Sequence, residues 1–212
     1  AIVADRMAGF RAADMALARG VPTRVCHFGD FSAHSLVKDG HAADLLIARD
    51  LISRTVDPTR FARASRTALK PDGILLFEFP HLLEMIEQTG FEAICHERAS
   101  YFSLIAIERL FALRGLRILH VAPALRAGWL RVFACRSESP LAPSSEIEPM
   151  IRREVAAGLD RIETFVQFAE RSQSILTRIG AFFDQLKTQG KTAVAFGASP
   201  RGNALLSYCG VR

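Results

Sequence analysis

No pair of cysteines in this chain is spaced to hold a metal. Cys26, Cys95, Cys135 and Cys209 lie far apart with no Cys-x-x-Cys among them, which excludes a zinc knuckle and any disulfide framework legible from spacing. Reduced thiols in a cytoplasmic protein are the expectation. The apolar stretches are cut by arginine well short of the ~20 residues of a membrane span, and no charged segment leads into an apolar one at the start. A run of positive charge is missing too. The 27 Lys and Arg outnumber the 22 Asp and Glu by only five and are spread along the sequence, so nucleic acid is not the expected partner. What the chain has is apolar material: half of its 212 residues are hydrophobic, enough for one sizeable core or two small ones, and too much for disorder.

That material alternates in period. Ala1-Ile2-Val3-Ala4 reads as a buried strand closed by Asp5, with no cap or initiator Met before it, so the chain is expected to open inside a domain. Met7 to Arg19 has helical spacing, stopped by Gly20 and Pro22. A short strand over 25–28, a helix over 31–38 and a buried parallel strand over 44–48 follow. Asp57-Pro58 caps a helix reaching about Leu69, and Pro71-Asp72-Gly73 turns into a strand over 74–79 that Pro80 ends. Helices over 81–88 and 103–114 precede strands over 116–121 and 129–135, whose short connection requires antiparallel pairing. Ser137 to Ser145, rich in proline and serine, is the linker by composition. Helices over 146–157 and 159–189, a strand over 192–196, a tight loop 197–202 and a further helix complete the chain.

Strands alternating with helices and ending in an antiparallel pair describe an open α/β sheet. The division expected is 1–136 for that sheet, 137–145 for the linker and 146–212 for a helical segment with the start of a second α/β domain. Ligands of such sheets bind outside the carboxyl ends of the strands. Candidates there are Asp5, Asp30 with Phe31, Asp50, and Glu78 with His81. An acid closing a strand accepts both hydroxyls of a ribose, and the same acid serves equally as a helix cap. His81 reads either as a surface residue at a helix start or as a ligand. The densest polar cluster, Cys95-His96-Glu97-Arg98 with Ser100-Tyr101, offers a proton acceptor beside a hydroxyl, or a solvated loop. Gly197 to Gly202, with Arg201 inside it and Asn203 after it, is shaped as an anion cradle without the Lys-Ser/Thr pair of a P-loop.

The run Phe91-Glu92-Ala93-Ile94-Cys95-His96-Glu97-Arg98-Ala99-Ser100-Tyr101-Phe102-Ser103 resembles the S-adenosylmethionine-dependent sugar C-methyltransferases, which read Phe-Asp-x-Ile-Tyr-His-Glu-His-Phe-Ser-Tyr-Phe-Ser there. The resemblance extends to Glu78-Phe79-Pro80-His81-Leu82, Glu108-Arg109-Leu110-Phe111, Leu130-Arg131-Val132-Phe133-Ala134 and Phe196-Gly197-Ala198 with Gly202-Asn203, and so covers essentially the whole chain.

It implies a Rossmann-like class I methyltransferase sheet, S-adenosylmethionine held by Asp5, Asp30, Phe31 and Asp50, and catalysis by His96, Glu97, Arg98 and Tyr101. It also implies a nucleotide-linked keto-sugar bound by His81, Gly197, Arg201, Gly202 and Asn203. A cysteine-rich zinc-binding domain and an acidic-Gly-x-Gly first strand belong to that family and are not in this sequence. Within the matched region the departures fall on chemistry: Cys95 and Arg98 replace Tyr and His, Asp50 and Arg54 replace Asn and His, and Leu125-Arg126-Ala127-Gly128-Trp129 replaces Thr-His-Gly-Gly-Ser. Arginine is not a base at physiological pH. Two readings stay open beside an active enzyme: a paralogue that keeps the fold without catalysis, and a dinucleotide oxidoreductase built on the Gly197 loop.

Overall fold

In the computed structural model the described residues are 2–4, 10–194, 196–197 and 199–210. Strands β1 (Ile2–Ala4) and β2 (Thr23–Val25) pair in parallel, joined through helix α1 (Phe10–Ala18). Helix α2 (Asp30–Lys38) leads to β3 (Ala43–Arg49), a single turn α3 (Leu51–Arg54), helix α4 (Pro58–Ala68) and β4 (Leu69–Pro80). After α5 (Leu82–Glu87), a 3-10 turn over Phe91–Ala93 and α6 (Leu104–Ala112) come β5 (Leu116–Pro123) and β6 (Trp129–Arg136). The second sheet has the order β3-β4-β6-β5: β3 and β4 run parallel, and β6 is antiparallel to both of its neighbours.

The apolar runs account for this sheet. Leu75, Phe77 and Phe79 of β4 alternate onto one face and meet Leu130, Val132 and Ala134 of β6. Helix α4 starts where Asp57 accepts the amide of Arg60 at 3.1 Å and Pro58 fits the first turn, and it lays Phe61 and Ala62 on that face, while Ala64 and Ala68 pack against Ala33 of α2. Phe77 stands between Phe61, Phe79 and Phe111, with ring centroids 6.2, 5.7 and 5.1 Å away. On the opposite face of β3, Leu45 and Ile47 are exposed. Pro71-Asp72-Gly73 does not precede β4 as a separate turn. Ala43 pairs with Leu69 and Leu45 with Ile74, so the tripeptide is a bulge inside the strand. Glycine is required there, since a Cβ at Gly73 would stand 2.5 Å from the carbonyl oxygen of Ala43.

After the Pro-rich stretch, α7 (Ile147–Ala156) packs on α6 and β5 through Ile147, Met150 and Ile151. Helix α8 (Ile162–Thr188) is about 40 Å long and buries only Phe168 and Ser172. Helix α9 (Pro200–Tyr208) packs against the 3-10 turn at 91–93. The strand expected over 192–196 is not formed at its described residues, and Val194 and Phe196 are exposed. A strand needs a neighbour for its amides and carbonyls, and none lies beside this segment among the described residues.

Candidate functional site

The carboxyl ends of β3 and β4, the loop 93–101 and the β5–β6 loop form one rim, and the carboxyl end of β2 leads into Asp30, which is tied to α4. Asp5 lies outside the described residues. Asp30, the first residue of α2, is gripped by Arg63 through both carboxylate oxygens, at 2.7 and 2.5 Å, with Arg60 at 3.5 Å. The hydrogen bonds from Arg63 hold its carboxyl below the usual range. Beside it Phe31 is 86% exposed, an aromatic face with nothing on it.

At the end of β3 the chain turns through Asp50 in the left-handed region, φ 55°, while its amide donates to the carbonyl of Glu78 at 2.8 Å. The Asp50 carboxylate is nearly buried and caps no helix. It receives Arg54 Nε at 3.0 Å and Arg98 Nη2 at 3.1 Å. Arg54 continues to Glu97 at 2.8 Å, and Arg98 donates through Nη1 to the carbonyl of Ala93. Burial works against the charge on Arg54, but Glu97 and Asp50 outweigh it and keep that guanidinium more firmly protonated than usual. The amides of Ala99 and Ser100 also bond the carbonyl of Ser53. The loop 93–101 is therefore clamped onto the end of β3 by the residues that depart from the resembled pattern.

Within that loop the Tyr101 hydroxyl accepts from the amide of Cys95 at 2.8 Å, and burial raises its ionisation above that of a free tyrosine. Glu97 is exposed and already paired. His96 is exposed and has no hydrogen-bond partner among the described residues.

His81 is the reverse case. It is 2% exposed, and its Nε2 lies 2.6 Å from Oε1 of the fully buried Glu154 of α7. The same carboxylate accepts the amides of Leu104 at 2.6 Å and Ile105 at 2.9 Å, so one acid joins the end of β4, the start of α6 and α7. His81, Tyr101 and Trp129 line one cavity of about 110 Å³. Glu154 continues the stripe Ile147, Met150, Ile151 at helical spacing, and an acid on a buried stripe was its one signal in the sequence.

Gly197 has φ +98°, and the amide of Gly202 is already bonded to Ser199 Oγ at 3.1 Å, inside the first turn of α9. Arg201 and Asn203 belong to the same helix, and Asn203 is exposed. The packing of α9 on the turn 91–93 brings this segment to the edge of the rim.

Residues 5–121 match a family described as a methyltransferase domain, and residues 124–212 a C-methyltransferase C-terminal domain. The chain belongs to the methyltransferase-domain family. The C-methyltransferase NovU of Streptomyces niveus is 30% identical over 198 residues, which are 91% of this chain and 46% of that protein. The chain thus spans less than half the length of that relative. Similar solved structures are the mitomycin 7-O-methyltransferase MmcR and a SAM-dependent methyltransferase, possible histamine N-methyltransferase, of Thermotoga maritima. They share 19% and 16% identity with TM-scores of 0.46 and 0.41, and cover 63% and 60% of this chain and 40% and 70% of their own.

S-adenosylmethionine is the cofactor this family implies, and the carboxyl ends of the strands offer groups that fit it. The partly exposed carboxylate of Asp30 can accept from the cofactor's hydroxyl or amino donors, and Phe31 presents a free face to its adenine. Both acids are held by two guanidiniums, and Asp50 fits less well because its carboxylate is the more buried, 12% exposed against 28% for Asp30. Among the described residues no cluster of His, Cys, Asp and Glu is placed to hold a metal, and no helix is long and apolar enough to cross a membrane.

Proposed function

We propose that this chain is the working part of a cytoplasmic, S-adenosylmethionine-dependent methyltransferase whose acceptor is a carbon next to the ketone of a nucleotide-linked keto-sugar. What supports the reading most is the loop 93–101, which keeps His96, Glu97 and Tyr101 of the resembled pattern and is pinned to Asp50 and Ser53 at the carboxyl end of β3. The bound cofactor supplies an electrophilic methyl group. The chain's part is to take the proton from the carbon acid and to steady the oxygen of the resulting enolate. His96 is the acceptor with a free imidazole, whereas Glu97 is held by Arg54 and serves to orient the loop. His81 and Tyr101 bound the cavity at the end of β4, and Gly197 with Arg201, Gly202 and Asn203 of α9 would meet the nucleotide.

One observation favours a second reading, a paralogue impaired in catalysis. Arg98 stands where the resembled pattern has histidine, and its Nε, Nη1 and Nη2 are all engaged, by Asp50, Ala93 and Cys95. It is spent on holding the loop, with four of its five N–H donors engaged and a single one on Nη2 left over.

The test is transfer of a labelled methyl group to the carbon of a keto-sugar nucleotide, by the wild type and by the double variant Arg98→His, Cys95→Tyr. Slow turnover that rises in the double variant fits the active reading. Wild-type turnover that survives loss of both His96 and Glu97 removes the base from this loop, and no turnover in either protein leaves the impaired paralogue.

A further inference from the structure

The rim carries more positive charge than its own acids neutralise. Arg49, Glu78 and Arg131 are in register across β3, β4 and β6, and Glu78 is held by Arg131 at 2.6 Å and by Arg49 at 3.3 Å. Asp50 is shared by Arg54 and Arg98, and Glu97 takes Arg54. One further guanidinium, Arg126, has no carboxylate partner among the described residues. It lies 4.7 Å from the ring centre of Trp129, with Arg98 at 5.8 Å and Arg49 at 6.0 Å from the same ring. Five guanidiniums therefore face Asp50, Glu78 and Glu97. Of the acids around the adjoining cavity, Glu84 is paired with Arg153, and Glu92 alone does not cancel the excess.

The geometry around Trp129 is built rather than incidental. The β5–β6 loop is closed by the amide of Trp129 on the carbonyl of Arg126, at 3.1 Å, and by the amide of Ala124 on the carbonyl of Trp129, at 2.9 Å. The amide of His81 fixes the same loop through the carbonyl of Gly128. The indole is 7% exposed while Arg126 is exposed. A guanidinium resting on an aromatic ring keeps its N–H donors free at the edge, where they suit an oxyanion with two acceptor oxygens. Arg98 is nearly buried, so Arg49, with 63% of its side chain exposed, is the other cation near the ring that solvent reaches.

We propose that Arg126, seated on Trp129 and seconded by Arg49, binds an oxyanion group of the methyl acceptor, a phosphate or a carboxylate. This rests on the reading that the acceptor lies at the strand ends, and it adds a substrate requirement that the loop 93–101 does not supply. The site anchors the acceptor by its charge, and the reacting carbon is presented to His96 by the rest of the rim.

The sequence contains one tryptophan, so intrinsic emission reports on this ring alone. The chain is titrated with inorganic phosphate, pyrophosphate and acetate at ionic strength held constant with sodium chloride. A saturable emission change is expected, with apparent affinity falling about tenfold in Arg126→Ala, the loss of a charge-assisted contact, and less in Arg126→Lys. Arg152→Ala, on the exposed face of α7, serves as the unaffected control. Preference for the phosphates or for acetate identifies the group. A response equal in wild type and Arg126→Ala, or one that chloride reproduces, overturns the proposal. Because neither cofactor nor turnover enters, anion binding without methyl transfer would fail only the functional reading, and methyl transfer without it would fail only this site.

Discussion

Replacing Glu154 by alanine is the sharpest perturbation of the fold that the structure offers. Its carboxylate is fully buried and receives three hydrogen bonds, from His81 at 2.6 Å and from the amides of Leu104 and Ile105 at 2.6 and 2.9 Å. The variant leaves an imidazole nitrogen and two helix-start amides without acceptors, in a place water does not reach. Each buried group so stranded costs about 1–3 kcal/mol, and breaking a buried pair by removing one partner costs about 3–5 kcal/mol in all. Ser103 still caps α6 through the amide of Ala106 at 3.1 Å, which keeps the expected loss near 4 kcal/mol rather than above it, roughly. That is a large share of the ~5–15 kcal/mol that holds a chain of this kind together. Urea unfolding followed by Trp129 emission and by far-ultraviolet circular dichroism measures it. Glu148→Ala, which removes an exposed partner of Arg152 on the same helix, is expected to change stability by less than about 0.5 kcal/mol. A Glu154→Ala protein as stable as Glu148→Ala would refute the reasoning, since the three hydrogen bonds would then carry no net stability.

Two further outcomes follow from the rim. Asp50→Ala strips the anion from between Arg54 and Arg98, so Arg98, now 6% exposed, should become a tryptic cleavage site, with the loop 93–101 cut several-fold faster than in the wild type. Tyr101 should ionise later than a free tyrosine in a titration read at 295 nm. Since its folded value is raised, the stability it contributes is present below the unfolded value of about 10 and is lost as pH climbs through the folded one, and Tyr101→Phe should abolish that late phase.

The elements with strong local signals were legible in the sequence. Continuous apolar runs announced β3 and β4, Asp57-Pro58 announced α4, and the short connection before Trp129 required β5 and β6 to be antiparallel. What failed depended on partners far away in the chain. Pro71-Asp72-Gly73 has the composition of a turn, but Ala43 already pairs with Leu69 ahead of it, and the tripeptide bulges out of a strand that had begun. The apolar segment 192–196 has strand propensity, and its described residues have no edge to join among the described residues. The site divided in the same way. The polar loop 93–101 and the strand-end acids stood out by composition, yet the link between Asp50 and Arg98 spans 48 residues and that between His81 and Glu154 spans 73, so neither was visible locally. His81, expected as a surface residue or a ligand, is not on the surface: it is buried against an acid whose only local mark is its place on an apolar stripe.

S-adenosylmethionine is expected at the carboxyl ends of the strands, and Phe31 is the residue through which this is tested most directly, because it is 86% exposed and its removal should leave the fold intact. Isothermal titration of S-adenosylmethionine into the wild type and into Phe31→Ala is the direct measurement, with urea unfolding of both as the check. Saturable one-to-one binding by the wild type is expected, weakened about tenfold in Phe31→Ala as one aromatic surface is lost to the adenine, at unchanged stability. Absence of binding to the wild type, or equal affinity in the two proteins, would contradict the placement of the cofactor.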